Sequence, residues 1–187
     1  MPRTSRFCVA TAFLLGAASP AFAGELVFNG GFETGGFSGW SVPPNIPNVS
    51  HFRVSSSGNA HGGEYWAGLA STNLQFISQV LPTQAGQDYE LSFWVRTPGP
   101  LPNSPLTVRW EGQFALSVPG PFQTLPWTQY TIPIHANIGG SFLEFGQAVF
   151  PGEWNIDDIS VVPVPAPGAA AVLVMGGAVA AVRRRRR

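Results

Sequence analysis

Apolar and polar residues alternate with a period of two along much of this chain, most clearly through Tyr89-Glu90-Leu91-Ser92-Phe93-Trp94-Val95-Arg96. Successive side chains of an extended strand point to opposite faces. Tyr89, Leu91, Phe93 and Val95 are therefore predicted to face a core, and Glu90, Ser92, Trp94 and Arg96 to face away from it. Leu106, Val108 and Trp110 alternate in the same way, and Glu111-Gly112 before the next apolar run predicts a hairpin turn. Further strands are predicted over 25–29, 52–55, 65–70, 74–81, 128–134, 141–150 and 155–161. Proline-rich stretches separate them as loops. Roughly ten short strands, with no solenoid repeat, predict an all-β fold, one antiparallel β-sandwich over 24–162.

Composition agrees with a packed domain, since 44% of the residues are hydrophobic and 12% aromatic. Charge is unevenly placed. Of ten arginines, Arg3 and Arg6 open the chain, Arg183 to Arg187 close it, and only Arg53, Arg96 and Arg109 lie between. All ten acids share that middle region, which leaves it a balance of −7. Such a body argues against nucleic acid as a partner and disfavours strongly anionic glycans unless a cation bridges them.

The two ends read as addresses. Residues 1–23 combine a basic start, an apolar stretch and the small-residue ending Ala21-Phe22-Ala23, the three parts of a secretory signal peptide cut after Ala23. The lone cysteine, Cys8, leaves with it, so neither a disulfide nor thiol chemistry is expected in the exported chain. At the other end, residues 168–182 form an apolar run of 15 residues. As a helix it would span roughly 22 Å, short of the roughly 30 Å of a bilayer core. Pro163, Pro165 and Pro167 block any helical extension upstream.

Pro165-Ala166-Pro167-Gly168, an apolar segment and then an Arg cluster including Arg183 and Arg184 resemble the PEP-CTERM sorting signal, in a variant with VPAPG at its core. The likeness covers about the last 25 residues (163–187). It implies transient retention in the inner membrane, processing by an exosortase-type membrane protease, and delivery to the cell surface or an exopolysaccharide-rich matrix. An ordinary C-terminal membrane anchor is the alternative.

The body carries a second resemblance. Its opening LVFNGGFETGGFSGW and its closing WNIDDISVV are similar to the termini of galactose-binding-like jelly rolls, notably carbohydrate-binding modules of families four and nine. That likeness implies that the first and last strands pair, bringing Glu33 near Asp157 or Asp158. It also implies a structural calcium ion there, since calcium takes six to eight oxygen ligands. Regular alternation would separate Asp157 from Asp158, so only one of them is expected to face the ion. The plainer alternative is that these acids cap turns or lie exposed.

Catalytic patterns are weak. His51, His61 and His135 lack metal-ligand spacing, and Ser38 in GFSGW lacks the nucleophile-elbow pattern. Binding is the expected role. A sugar site combines an aromatic platform with polar side chains. Trp94, projecting with Glu90 and Arg96 from the polar side of its strand, is the leading platform, with Trp66 and Trp40 as further candidates; Trp110, Trp127 and Trp154 are expected in the core. A glycan-binding module and a structural adhesion protein that contacts other proteins both remain open on these residues.

Overall fold

The structure, a computed structural model, describes residues 24–148 and 152–165. The signal peptide with Ala23, and the tail residues Ala166, Pro167, Gly168, Arg183 and Arg184, lie outside the described residues, while Pro165 is the last of them. Among the described residues no helix is long and apolar enough to cross a membrane.

Among the described residues, nine strands form two antiparallel sheets. They are β1 (Ser50–Ser55), β2 (Trp66–Ser71), β3 (Gln75–Leu81), β4 (Asp88–Thr97), β5 (Leu106–Trp110), β6 (Gln113–Val118), β7 (Leu125–His135), β8 (Ser141–Gln147) and β9 (Trp154–Pro163). One sheet runs β1-β2-β9-β4-β7 and the other β3-β8-β5-β6. The fold is the predicted all-β jelly-roll sandwich.

The alternation of β4 is realised residue by residue. Tyr89, Leu91, Phe93 and Val95 are buried, while Glu90, Ser92, Trp94 and Arg96 stand on the other side. Phe93 meets Phe145 of the opposing sheet edge to face, with ring centroids 5.0 Å apart. Leu106, Val108, Trp110 and Trp154 fill the same interior, each large side chain contributing about 1.5–3 kcal/mol by leaving water. The hairpin between β5 and β6 turns on Glu111 and Gly112 at φ 51° and 74°, the left-handed pair that suits the twist of two antiparallel strands.

Several strands are longer than expected, β7 starting three residues early at Leu125, and two expected strands are lost or shortened. Residues 25–29 form no strand; Asn29 and Phe32, at φ 56° and 58°, turn the chain away before a ladder can develop. The segment is tied to β9 instead by single bonds, Leu26 N to Val161 O at 3.0 Å and Ile159 N to Gly30 O at 3.1 Å. The predicted strand over 141–150 ends at Gln147, and its last two residues lie outside the described set.

Candidate functional site on the five-stranded sheet

The outer side of the five-stranded sheet brings Trp66, Trp94 and Trp127 together with Arg53, Arg96 and Glu153. Register explains why. Arg96 pairs with Asn155 of β9, Asn155 with Gly68 of β2, and Gly68 with Arg53 of β1, so one row crosses the sheet through these positions. On the other flank the β4–β7 register shifts between Val95 and Thr97, so that Pro126 and Trp127 both face Arg96.

The side chains on this row interlock. Arg53 makes a two-point ion pair with Glu153, Nε to Oε2 and Nη2 to Oε1, both at 2.9 Å. Asn155 joins the row by donating Nδ2 to Glu153 Oε1 at 2.6 Å and accepting Arg96 Nε on Oδ1 at 3.0 Å. The Trp66 ring lies beneath both arginines, 4.7 Å from Arg53 Cζ and 5.4 Å from Arg96 Cζ. Arg96 Cζ is also 5.2 Å from the Trp127 ring centroid. These are cation–π distances.

Trp127 is a correction. Its indole is half-exposed rather than in the core, because it shares strand parity with the exposed Gln129 and Thr131 and not with Tyr130, Ile132 and Ile134. Trp40 is the converse correction. It is 7% exposed, packs on Phe32 and Phe145, and donates Nε1 to Asn29 O at 3.2 Å, so it offers no face to a ligand. Trp66 is on the predicted side but only 2% exposed, and its Nε1 has no acceptor among the described residues. Glu90 is exposed on the same sheet face, yet six residues from Arg96 along β4, or about 20 Å.

Trp94 is half-buried for a reason that strand parity does not carry. Loop residues 56–65 cross this face and lay the His61 ring flat on the Trp94 ring, with centroids 3.6 Å apart and planes 16° apart. Three carboxylates hold the loop there. Glu33 Oε1 accepts Glu64 N at 3.0 Å and Tyr65 N at 2.9 Å. Asp157 Oδ2 accepts His61 N at 2.8 Å, and His61 Nδ1 lies 2.7 Å from Asp158 Oδ2. Trp127 Nε1 adds a bond to Asn59 O at 2.9 Å. Gly63 permits the approach: its φ is 60°, and a Cβ there would fall 2.4 Å from Glu33 Cδ.

Asp157 and Asp158 do not separate as regular alternation requires. The β4–β9 register shifts between Ser92 and Trp94, and Asp158 takes φ 45°, the geometry of a β-bulge with one extra residue. Both acids consequently reach the surroundings of Gly31, where a Cβ would meet Asp158 Oδ1 at 3.3 Å, Glu33 Cγ at 3.7 Å and Asp157 Oδ1 at 3.8 Å. Glu33 and the Asp pair thus lie around the same glycine, while the Glu33 carboxylate itself turns to Glu64 N and Tyr65 N. The Glu33 and Asp157 oxygens accept backbone N–H groups, and no group of three or more His, Cys, Asp or Glu among the described residues is placed to hold a metal such as the implied calcium ion.

Burial raises the Asp157 carboxyl to about 6, against the bonds from His61 N and Asp158 N that favour its ionised form. The folded chain therefore binds this proton more tightly than the unfolded chain. Its contribution to stability grows as pH falls from about 6 toward the ordinary value of 3.8 and is lost as pH rises through 6. A carbon-detected NMR titration should place the Asp157 midpoint near 6; a midpoint near 3.8 would contradict the buried setting.

The jelly-roll sandwich is a fold shared with solved carbohydrate-binding modules. No family model matches this sequence, and no curated protein matches it. Among solved structures, TmCBM61 in complex with β-1,4-galactotriose is 23% identical with a TM-score of 0.55, over 75% of this chain and 99% of that one. The CBM22-1 xylan-binding domain of Xyn10C from Paenibacillus barcinonensis is 18% identical with a TM-score of 0.56, over 73% and 92%. The K3 cleaved adhesin domain of Lys-gingipain from Porphyromonas gingivalis is 15% identical with a TM-score of 0.55, over 74% and 97%. At these identities the likeness is one of fold.

Proposed function

We propose that this chain is an exported bacterial surface or matrix protein that holds polysaccharide against the outer side of its five-stranded sheet. The observation that carries the reading is the half-buried Trp127 ring beside Arg96, on the same side of β7 as the exposed Gln129 and Thr131. A sugar ring offers a C–H face to an indole and hydroxyls to amides and guanidinium groups. The fold shared with a galactotriose-bound module and a xylan-binding domain supports this use of the face. The test is native electrophoresis of the full chain through gels containing neutral and acidic polysaccharides. Retardation by at least one of them is expected; a folded chain retarded by none overturns the reading.

The tail extends the proposal to processing. Retention in the inner membrane by the apolar segment, followed by exosortase-type cleavage, would release a chain beginning at Gly24 and ending within 165–168. Intact mass spectrometry of the protein recovered from the producing cells checks both ends. A chain still ending in Arg187 would contradict processing and leave the tail as an anchor.

A second reading, adhesion through protein contacts, is favoured by the fold likeness to the adhesin domain. It is also favoured by Val80, Phe114 and Phe142, which are exposed on the outer side of the four-stranded sheet. It predicts a folded chain that binds no polysaccharide.

A further inference from the structure

Three arginines lie in the described body, and they are not equivalent. Arg53 is neutralised by its two-point pair with Glu153, and Arg109 lies 4.0 Å from Glu144. Arg96 has no ion pair among the described residues. Its one hydrogen bond goes from Nε to the neutral Asn155 amide, which leaves the four Nη hydrogens of the five-donor guanidinium group without a protein acceptor among the described residues. Glu153, the acid whose charge acts on Arg96, already accepts from Arg53 at both oxygens and from Asn155.

The setting makes that open fork consequential. Arg96 is half-buried, and burial lowers its pKa, the mark of a charge that has lost part of its water. A charge so placed gains more from a specific anion than an exposed one does. The fork is also held in one orientation by Asn155 and by the Trp66 and Trp127 rings, so little side-chain freedom remains to be lost on binding.

Resting on the glycan-binding reading, we infer that Arg96 receives the carboxylate of an acidic sugar residue, so that the polysaccharide held on this face contains uronate-type units. A planar carboxylate matches the Nη edge of a guanidinium in a two-point contact, and the attached sugar ring would lie beside Trp127. The region from Glu25 to Asp158, with its balance of −7, repels an acidic polymer at long range, so selection on this face comes from the short-range contact rather than from the field of the domain. That reverses the preference which net charge alone implies.

The test uses the full chain and two acidic polymers, polygalacturonate and alginate, each paired with its carboxyl-reduced neutral product. The terminal arginines are common to the wild type and the variants, so differences between proteins report the face alone. Wild type is expected to bind at least one acidic polymer about tenfold more tightly than its reduced partner, one charge-assisted contact being worth a factor of that order. Arg96→Gln should lower the ratio of acidic to reduced affinity about tenfold, the loss falling on the acidic polymer more than on its reduced partner. Arg96→Lys, which keeps the charge but not the fork, should fall between them; melting curves show that each variant is folded. Equal wild-type affinity for acidic and reduced polymers, or a ratio of the two that is unchanged in Arg96→Gln, overturns the carboxylate inference while the glycan-binding reading stands. A folded wild-type chain that binds neither member of either pair overturns the carboxylate inference, and the glycan-binding reading falls with it when no polysaccharide of the electrophoresis panel retards the chain.

Discussion

Replacing Trp127 by alanine is expected to weaken retention on a bound polysaccharide by roughly thirtyfold while the sandwich stays folded. The indole supplies the half-exposed apolar platform of the row, and removing a central aromatic anchor costs about 2 kcal/mol of binding. Its structural role is small by comparison. The variant loses one hydrogen bond, Nε1 to Asn59 O, worth about 1 kcal/mol, and the ring's contacts with Arg96 and His61, each of similar or smaller worth, so melting should fall by several degrees without loss of the fold. Affinity electrophoresis beside a thermal melt reads both quantities. Unchanged retention in Trp127→Ala would move the site off this face. Trp94→Ala, by contrast, should cost less binding, because His61 already covers the ring.

Trp154→Ala is expected to remove most of the chain's stability. Trp154 is fully buried at the start of β9, the strand that lies between β2 and β4, and it donates Nε1 to Ser104 O at 2.9 Å inside the core. A buried Trp→Ala change costs about 3–5 kcal/mol through lost burial and an unfilled cavity, and the orphaned Ser104 carbonyl adds about 1 kcal/mol or more. Against the 5–15 kcal/mol typical of a native domain, that leaves little or no margin. The expected result is a broad, low-temperature transition or none. A sharp melt within a few degrees of the wild type would contradict the packing described for β9.

The contrast between these two tryptophans shows where sequence reasoning reached and where it stopped. Strand parity alone placed Glu90, Trp94 and Arg96 on one side of β4 and its apolar residues on the other, because a regular ladder transmits a period of two without error. The same parity carries the signal for Trp127, through its shared phase with Gln129 and Thr131; reading the residue from its apolar neighbours at the strand start gave the wrong side. Trp40 failed differently, since a turn-rich segment has no periodicity from which to infer its direction. Asp157 and Asp158 lie at a bulge, where one extra residue breaks the alternation that the expectation assumed. His61 belongs to a loop held by carboxylates from sequence-distant segments, Glu33 on one side and the β9 pair on the other. Nothing within the loop itself points to Trp94.

The most direct test of the central claim follows the indole N–H signals of the six tryptophans in a nitrogen-15 labelled full-length chain as a polysaccharide that retards it is cleaved to short oligosaccharides and titrated in. A site on the outer side of the five-stranded sheet predicts that Trp127 shifts most, with smaller movements at Trp66 and Trp94, while Trp40, Trp110 and Trp154 stay in place. Saturable binding that leaves Trp127 unmoved would contradict the placement of the site.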